Sequence, residues 1–121
     1  MKHSTIHFRA EFIIKDGKIR EYKKLVRRMS RMVEANEPDT LSYRFYFDRN
    51  ETKCVVHETF ANSDAVFYHN NGFASQTILP KIFSVSRICK FEVYGNPSKK
   101  LQKVLMSLNP ETYNLFTGFT R

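Results

Sequence analysis

An α+β fold, with helices packed on one face of an antiparallel sheet, follows from three features of this 121-residue sequence. Residues 5 to 14 alternate, with Ile6, Phe8, Ala10, Phe12 and Ile14 on one side and Thr5, His7, Arg9 and Glu11 on the other, as in a strand with one buried face. Directly afterwards Ile19, Tyr22, Leu25, Val26, Met29, Met32 and Val33 recur at helical spacing. Two more alternating stretches then follow with only D-R-N-E between them, which reads as a hairpin.

The elements follow in order. Asp16-Gly17 opens the long helix, and Pro38 stops it within a residue or two of Asn36. In the hairpin, Leu41, Tyr43, Phe45 and Phe47 share one face of the first arm, and Cys54, Val56, Glu58 and Phe60 share one face of the second. Apolar faces coincide across a hairpin, because a one-residue slip inverts one of them. The predicted pairs are Tyr43 with Val56, Phe45 with Cys54, and Leu41 with Glu58. Glu58 then lies on an apolar face and needs a partner or a proton. Asn62 or Ser63 caps a short helix with Asp64 in its first turn. A second helical piece from Phe73 runs into Pro80, which ends or kinks it. Residues 86 to 94 form a fourth strand closed by Gly95, and Leu101, Val104, Leu105 and Leu108 mark a last amphipathic helix. The tail Y-N-L-F-T-G-F-T-R is too aromatic to float free and is expected to dock.

The order β-α-β-β-α-α-β-α, with right-handed crossovers, predicts a ferredoxin-like sheet of order 4-1-3-2 with helices on one face. The chain reads as a single domain over 1–121, with 97–121 as its C-terminal helix and aromatic tail. The third and fourth strands flank the first, so Cys54 and Cys89 are too far apart to pair and read as reduced, buried thiols. The second sheet face carries His7, Arg9, Glu11, Arg44, Tyr46 and His57, too polar for a core yet partly aromatic. A second sheet meeting it face to face makes a homodimer.

The net charge is +8, and eight of the twenty basic residues fall between Lys15 and Arg31. From Lys18 onward they lie off the apolar stripe, which reads most simply as a solvated helix face. Such a face attracts nucleic acid, anionic lipid or an acidic small molecule. An RNA-binding ferredoxin-like domain needs a glycine-containing aromatic strand motif that R-F-Y-F-D-R-N lacks, so no nucleic acid is expected. With no long apolar run and no signal-like start, a cytoplasmic protein with no membrane partner is expected. No metal site is expected either: His7 and His57 can be neighbours, but no carboxylate–histidine cluster has ligand spacing.

N-E-P-D-T-L-S-Y-R-F-Y-F-D, followed by C-V-V-H-E-T-F-A-N-S-D-A-V-F-Y-H, resembles the antibiotic biosynthesis monooxygenase domain family. The shared pattern is an acidic-Pro turn, a Y-R-F-Y-like strand, a strand ending in Glu plus an aromatic, and a helix with a histidine two turns in. F-E-V-Y-G-N-P-S and the closing G-F-T-R resemble longer members, so the similarity runs over nearly the whole chain. The resemblance implies a ferredoxin-like monomer that dimerises into an α+β barrel. It also implies oxidation of a small aromatic quinol or phenol by O₂ with no cofactor, whether flavin, haem or metal. Deprotonating an electron-rich phenol yields an anion that can pass an electron to O₂. The protein must therefore bind the ring, take the proton and stabilise the anion.

His69 matches the family's helix histidine and is the candidate catalytic base, its ordinary pKa of ~6.5 suiting proton abstraction. The alternative is a histidine hydrogen-bonded in the helix–sheet seam. Ala65, Tyr68 and His69 share a helix face, which turns His69 towards a cleft with Tyr68 as an aromatic wall. Asn62 either binds a substrate oxygen or caps the helix. Arg87 or Arg44 either stabilises an anionic product or forms ion pairs in the dimer interface. Tyr43 and Phe45 wall the pocket or fill the core, and Glu58 either orients His69 or pairs structurally. Ala74 stands where many members carry a second histidine, and the chain has no Trp, which argues against haem degradation. Two other readings remain open: a non-catalytic small-molecule-binding or sensing dimer on the same scaffold, and isomerase-like acid–base chemistry.

Overall fold

The alternation in β1 (Ile6–Ile14) is realised residue by residue: Ile6, Phe8, Ala10, Phe12 and Ile14 are buried and the residues between them are partly exposed. The computed structural model describes residues 4–121, so the first three residues of the predicted domain lie outside the described residues. On the buried face of β1, α1 (Ile19–Asn36) lays down Tyr22, Val26, Met29 and Val33, the centre of its apolar stripe. The helix ends one residue before Glu37, whose backbone N–H still reaches the Val33 carbonyl.

The hairpin of β2 (Thr40–Phe47) and β3 (Lys53–Phe60) corrects the predicted register. Tyr43 pairs with Glu58, Phe45 with Val56 and Phe47 with Cys54. The pairing is displaced by two residues, which keeps every side chain on its face. Asp48 fixes the turn: its Oδ1 accepts the Thr52 and Lys53 amides at 2.9 and 3.0 Å, and its Oδ2 accepts the Thr52 hydroxyl at 3.0 Å. A bulge between Thr40 and Ser42 then turns Leu41 out to solvent, 57% exposed, instead of setting it opposite Glu58.

Three short helices follow, α2 (Ser63–Asn71), α3 (Phe73–Thr77) and α4 (Leu79–Ser84). Pro80 begins α4 rather than ending a helix, sitting in the first turn where its missing N–H is not needed. From there β4 (Ser86–Tyr94) pairs with β1 on the side away from β3. Next, α5 (Lys99–Leu105), capped by Ser98, buries Leu101 and Leu105. It passes into a 3₁₀ turn at Met106–Leu108, which leaves Val104 and Leu108 exposed. A strand the sequence did not predict, β5 (Glu111–Tyr113), adds in parallel to the free edge of β4. The sheet order is β2-β3-β1-β4-β5, five strands where four were expected.

Two apolar clusters fill the space between sheet and helices. One joins β1 and β3 to α1, α3 and α4; the other joins Phe8, Phe60 and Val66 to Leu101 and Leu105 of α5. Within the single chain the tail, which was expected to dock on its own or a partner subunit, leaves Phe116 96% exposed and Leu115 and Phe119 exposed too. Tyr113 at its base stacks on Tyr94 with ring centroids 5.0 Å apart. Both cysteines are free, but Cys89 is exposed rather than buried because it is the extra residue where the β1–β4 register shifts, between Ile88 and Lys90. Among the described residues no helix is long and apolar enough to cross a membrane.

Candidate functional site

The imidazole of His69 lies in the last turn of α2, 4% exposed, where the two apolar clusters meet. Tyr43 from the first cluster and Phe60 from the second pack against it, with ring centroids at 5.7 and 5.3 Å. Its Nδ1 is 2.6 Å from Oε1 of Glu37, the buried residue that ends α1. Glu37 Oε1 also accepts the Thr40 hydroxyl at 3.2 Å. Gly72 makes room for this carboxylate, since a Cβ there would stand 3.4 Å from Glu37 Oε2 and 3.2 Å from the Tyr68 carbonyl. On the other side of the ring, Nε2 is 3.5 Å from Glu58 Oε1 and 3.4 Å from Ser75 Oγ of α3.

When Glu37 is a carboxylate it can only accept, so the proton of that contact lies on Nδ1; in the neutral imidazole the Nε2 lone pair then faces Glu58 and Ser75. Burial pushes the Glu58 carboxyl up to about 7, with the Glu37 charge adding to the rise and His69 opposing it. Near neutral pH it can therefore give or take a proton. Burial also holds the Tyr43 hydroxyl well above its ordinary range, reinforced by Glu58 and Glu37, so it stays a neutral donor.

His69 and Glu58 border a cavity of about 120 Å³, whose walls are mainly Phe8, Tyr43, Phe45, Val56 and Phe91. A dry apolar cavity of ~150 Å³ takes one benzene-sized ring, so this space suits a single aromatic ring. Tyr22 also borders it. Its buried hydroxyl, beside the Cys54 thiol, has no hydrogen-bond partner among the described residues and is held protonated by burial. Glu37 and Glu58 sit at opposite ring nitrogens, so no common point lies within coordination range of all three groups. Among the described residues no set of three His, Cys, Asp or Glu side chains forms a metal-binding group.

Of the residues singled out in the sequence, His69, Glu58, Tyr43 and Phe45 meet at this cavity. Asn62 does not: it is exposed, and its Oδ1 accepts the Ala65 amide at 2.9 Å as the cap of α2. Tyr68 is 60% exposed, because α2 buries Ala65, Val66 and His69 and turns the intervening Tyr68 towards water. Arg87 pairs with Ile13 and Arg44 with His57, which places both on the outer face of the sheet. Neighbouring Ile88 and Phe45 take the inward phase and border the cavity. Sequence reasoning missed Glu37, Tyr22 and Ser75. The acidic-Pro pair Glu37-Pro38 was the one available signal, and it read only as a turn.

No family model matches the chain, and no curated protein sequence matches it. Solved structures do. MupZ from Pseudomonas fluorescens superposes with a TM-score of 0.85 at 21% identity, over 98% of this chain and 95% of that one. SnoaB from Streptomyces nogalater, described as a cofactor-independent oxygenase and solved as a point mutant, gives 0.67 at 12% identity over 79% and 96%. A protein described as an antibiotic biosynthesis monooxygenase gives 0.63 at 21% identity over 73% and 92%. The chain has the fold of the antibiotic biosynthesis monooxygenases. The likeness to MupZ spans nearly the full chain, while the other two stop at about three quarters of it. At these identities the likeness establishes the fold, and the roles of His69, Glu37 and Glu58 stand on their own geometry.

Proposed function

We propose that the His69 cavity is the active site of a cofactor-independent monooxygenase that oxidises a one-ring phenol or quinol with O₂. The observation that supports this most is the buried His69, held at Nδ1 by Glu37, with Glu58 and Ser75 beside its Nε2 and a ring-sized apolar space bordering it. His69 takes the phenolic proton through Nε2, and Glu37 stabilises the imidazolium that results. The Tyr22 and Tyr43 hydroxyls donate to the phenolate, which passes an electron to O₂. In the conversion of a phenol to a quinone a ring C–H becomes C=O. One oxygen atom stays on the ring, and the other leaves as water with the two displaced hydrogens. All four electrons come from the ring, so the reaction needs no outside reductant. Glu58, with its carboxyl near neutrality, supplies a proton to the departing oxygen. A structural neighbour described as a cofactor-independent oxygenase is consistent with this reading.

The working unit is a homodimer formed through the outer sheet face. The rings of His7, Tyr46, His57 and Tyr94 cluster edge-on there, with centroids 5.3 to 6.0 Å apart. His7 and Tyr94 share a concavity with the exposed Phe116 and Phe119 of the tail. A second copy covers both.

The test is oxygen uptake with a panel of hydroquinones, catechols and alkylphenols in chelator-treated buffer. Uptake of one O₂ per quinone formed is expected. The rival reading, a non-catalytic binding dimer, draws on the position of Asn62, Tyr68 and Arg87 outside the cavity. Binding of the panel with no uptake establishes it instead.

A further inference from the structure

Between α1 and the edge strand β2 lies an open concavity of about 540 Å³, which the chemistry above does not use. We propose that this groove binds an organic anion, a carboxylate or phosphate carried on an apolar body. Its size lies within the ordinary range for small-molecule sites. Arg27 and Arg31, one helical turn apart, line it above a floor of Tyr43, Phe45 and Phe47.

Arg27 and Arg31 are both exposed, and both border this open concave surface with its aromatic floor. Among the described residues, Glu51 is the carboxylate that borders the groove, and Lys23 Nζ already holds it at 2.5 Å. The same ammonium lies 5.5 Å over the Phe47 ring. Arg27 and Arg31 have no carboxylate partner among the described residues. Two guanidinium charges are thus left uncompensated at one site. Guanidinium groups bind carboxylate and phosphate oxygens in a fixed fork, and the rings below offer a stacking surface for the ligand's body. The net charge of +8 draws anions towards the chain as a whole. Tyr43 and Phe45 border both this groove and the His69 cavity, so an anion held here lies against the outer side of the cavity wall. The site does not depend on the proposed oxidation, and its test reads binding rather than turnover.

The experiment titrates the full chain with benzoate and phenyl phosphate, with benzyl alcohol and inorganic phosphate as controls, and follows amide shifts by NMR. Saturable shifts within 23–31 and 43–47 are expected, with both organic anions binding at least about 10-fold tighter than either control. Arg27→Gln combined with Arg31→Gln is expected to weaken that binding by at least about 10-fold. Lys99→Gln with Lys103→Gln, which removes two exposed charges from α5 outside the groove, is expected to leave it unchanged. Equal binding of inorganic phosphate, an unaltered response in the Arg27/Arg31 variant, or shifts confined to the His69 cavity overturns the proposal. A response of these amides to oligonucleotides but not to benzoate or phenyl phosphate overturns it too.

Discussion

His69 Nδ1 and Glu37 Oε1 lie 2.6 Å apart although 32 positions separate them in the chain, and both side chains are shielded from water. The contact joins the end of α1 to the end of α2, and on the far side of the imidazole Nε2 lies 3.5 Å from Glu58 and 3.4 Å from Ser75. Glu37→Gln keeps the shape and a hydrogen-bond acceptor but removes the charge that stabilises an imidazolium. It is expected to lower turnover by ~10²-fold or more and to cost about 1–3 kcal/mol of stability. Glu37→Ala leaves the histidine unpartnered and is expected to cost more, about 3–5 kcal/mol. Steady-state kinetics and urea denaturation on the two variants check both statements.

Glu58 gives the protein a pH dependence with a definite sign. Its carboxyl titrates at about 7 in the fold, against an ordinary value of 4.5. Between those values the folded chain binds more protons than the unfolded one, so stability falls as pH rises. The contribution is fully present below about pH 4.5 and is lost as pH passes through about 7. Glu58→Gln is expected to remove this slope and to exceed the unaltered chain in stability at about pH 8, by at most about 3 kcal/mol. Denaturation curves at about pH 5, 6.5 and 8 decide the matter; parallel pH dependences for the two proteins would count against it.

The thiols are expected to differ in reactivity. Cys89 is exposed, whereas Cys54 is buried and burial pushes its thiol up. A disulfide reagent is expected to label one thiol quickly and the second only on unfolding, and Cys89→Ser should remove the fast phase. Two fast thiols in the native protein would contradict the placement of Cys54.

Association through the outer sheet face is expected to give a dimer mass by light scattering at micromolar concentration. Phe116→Ser with Phe119→Ser removes apolar area that the single chain leaves in water. It is expected to weaken the dimer by at least about 10-fold, with little effect on the fold of each subunit. A monomer mass for the unaltered chain would contradict this assembly.

Strong periodicity made much of the fold legible from residues alone. The alternation of Ile6 to Ile14 and the helical stripe of α1 correspond to the observed burial almost position by position. The hairpin register did not yield to the same reasoning, because a two-residue displacement preserves both faces and depends on how Asp48 closes the turn. β5 escaped notice because three exposed residues carry no burial pattern. At the site, Glu58 was legible as a carboxylate on an apolar face. Glu37 was not, since a residue that ends a helix before a proline reads locally as a turn, and its partner lies in the helix that follows the hairpin, 32 positions on. Tyr68 was misplaced because α2 is short and weakly amphipathic, so its sequence alone fixes the buried face poorly.

The most direct measurement compares oxygen uptake by the unaltered chain and by His69→Gln on the best substrate of the phenol and quinol panel. Glutamine can still donate an amide N–H to Glu37 but has no basic nitrogen to take the substrate's proton. The variant is expected to lose ~10²-fold or more in turnover while its melting temperature stays within several degrees of the unaltered chain. A His69→Gln protein whose activity simply tracks its folded fraction would contradict the assignment of Nε2 as the base.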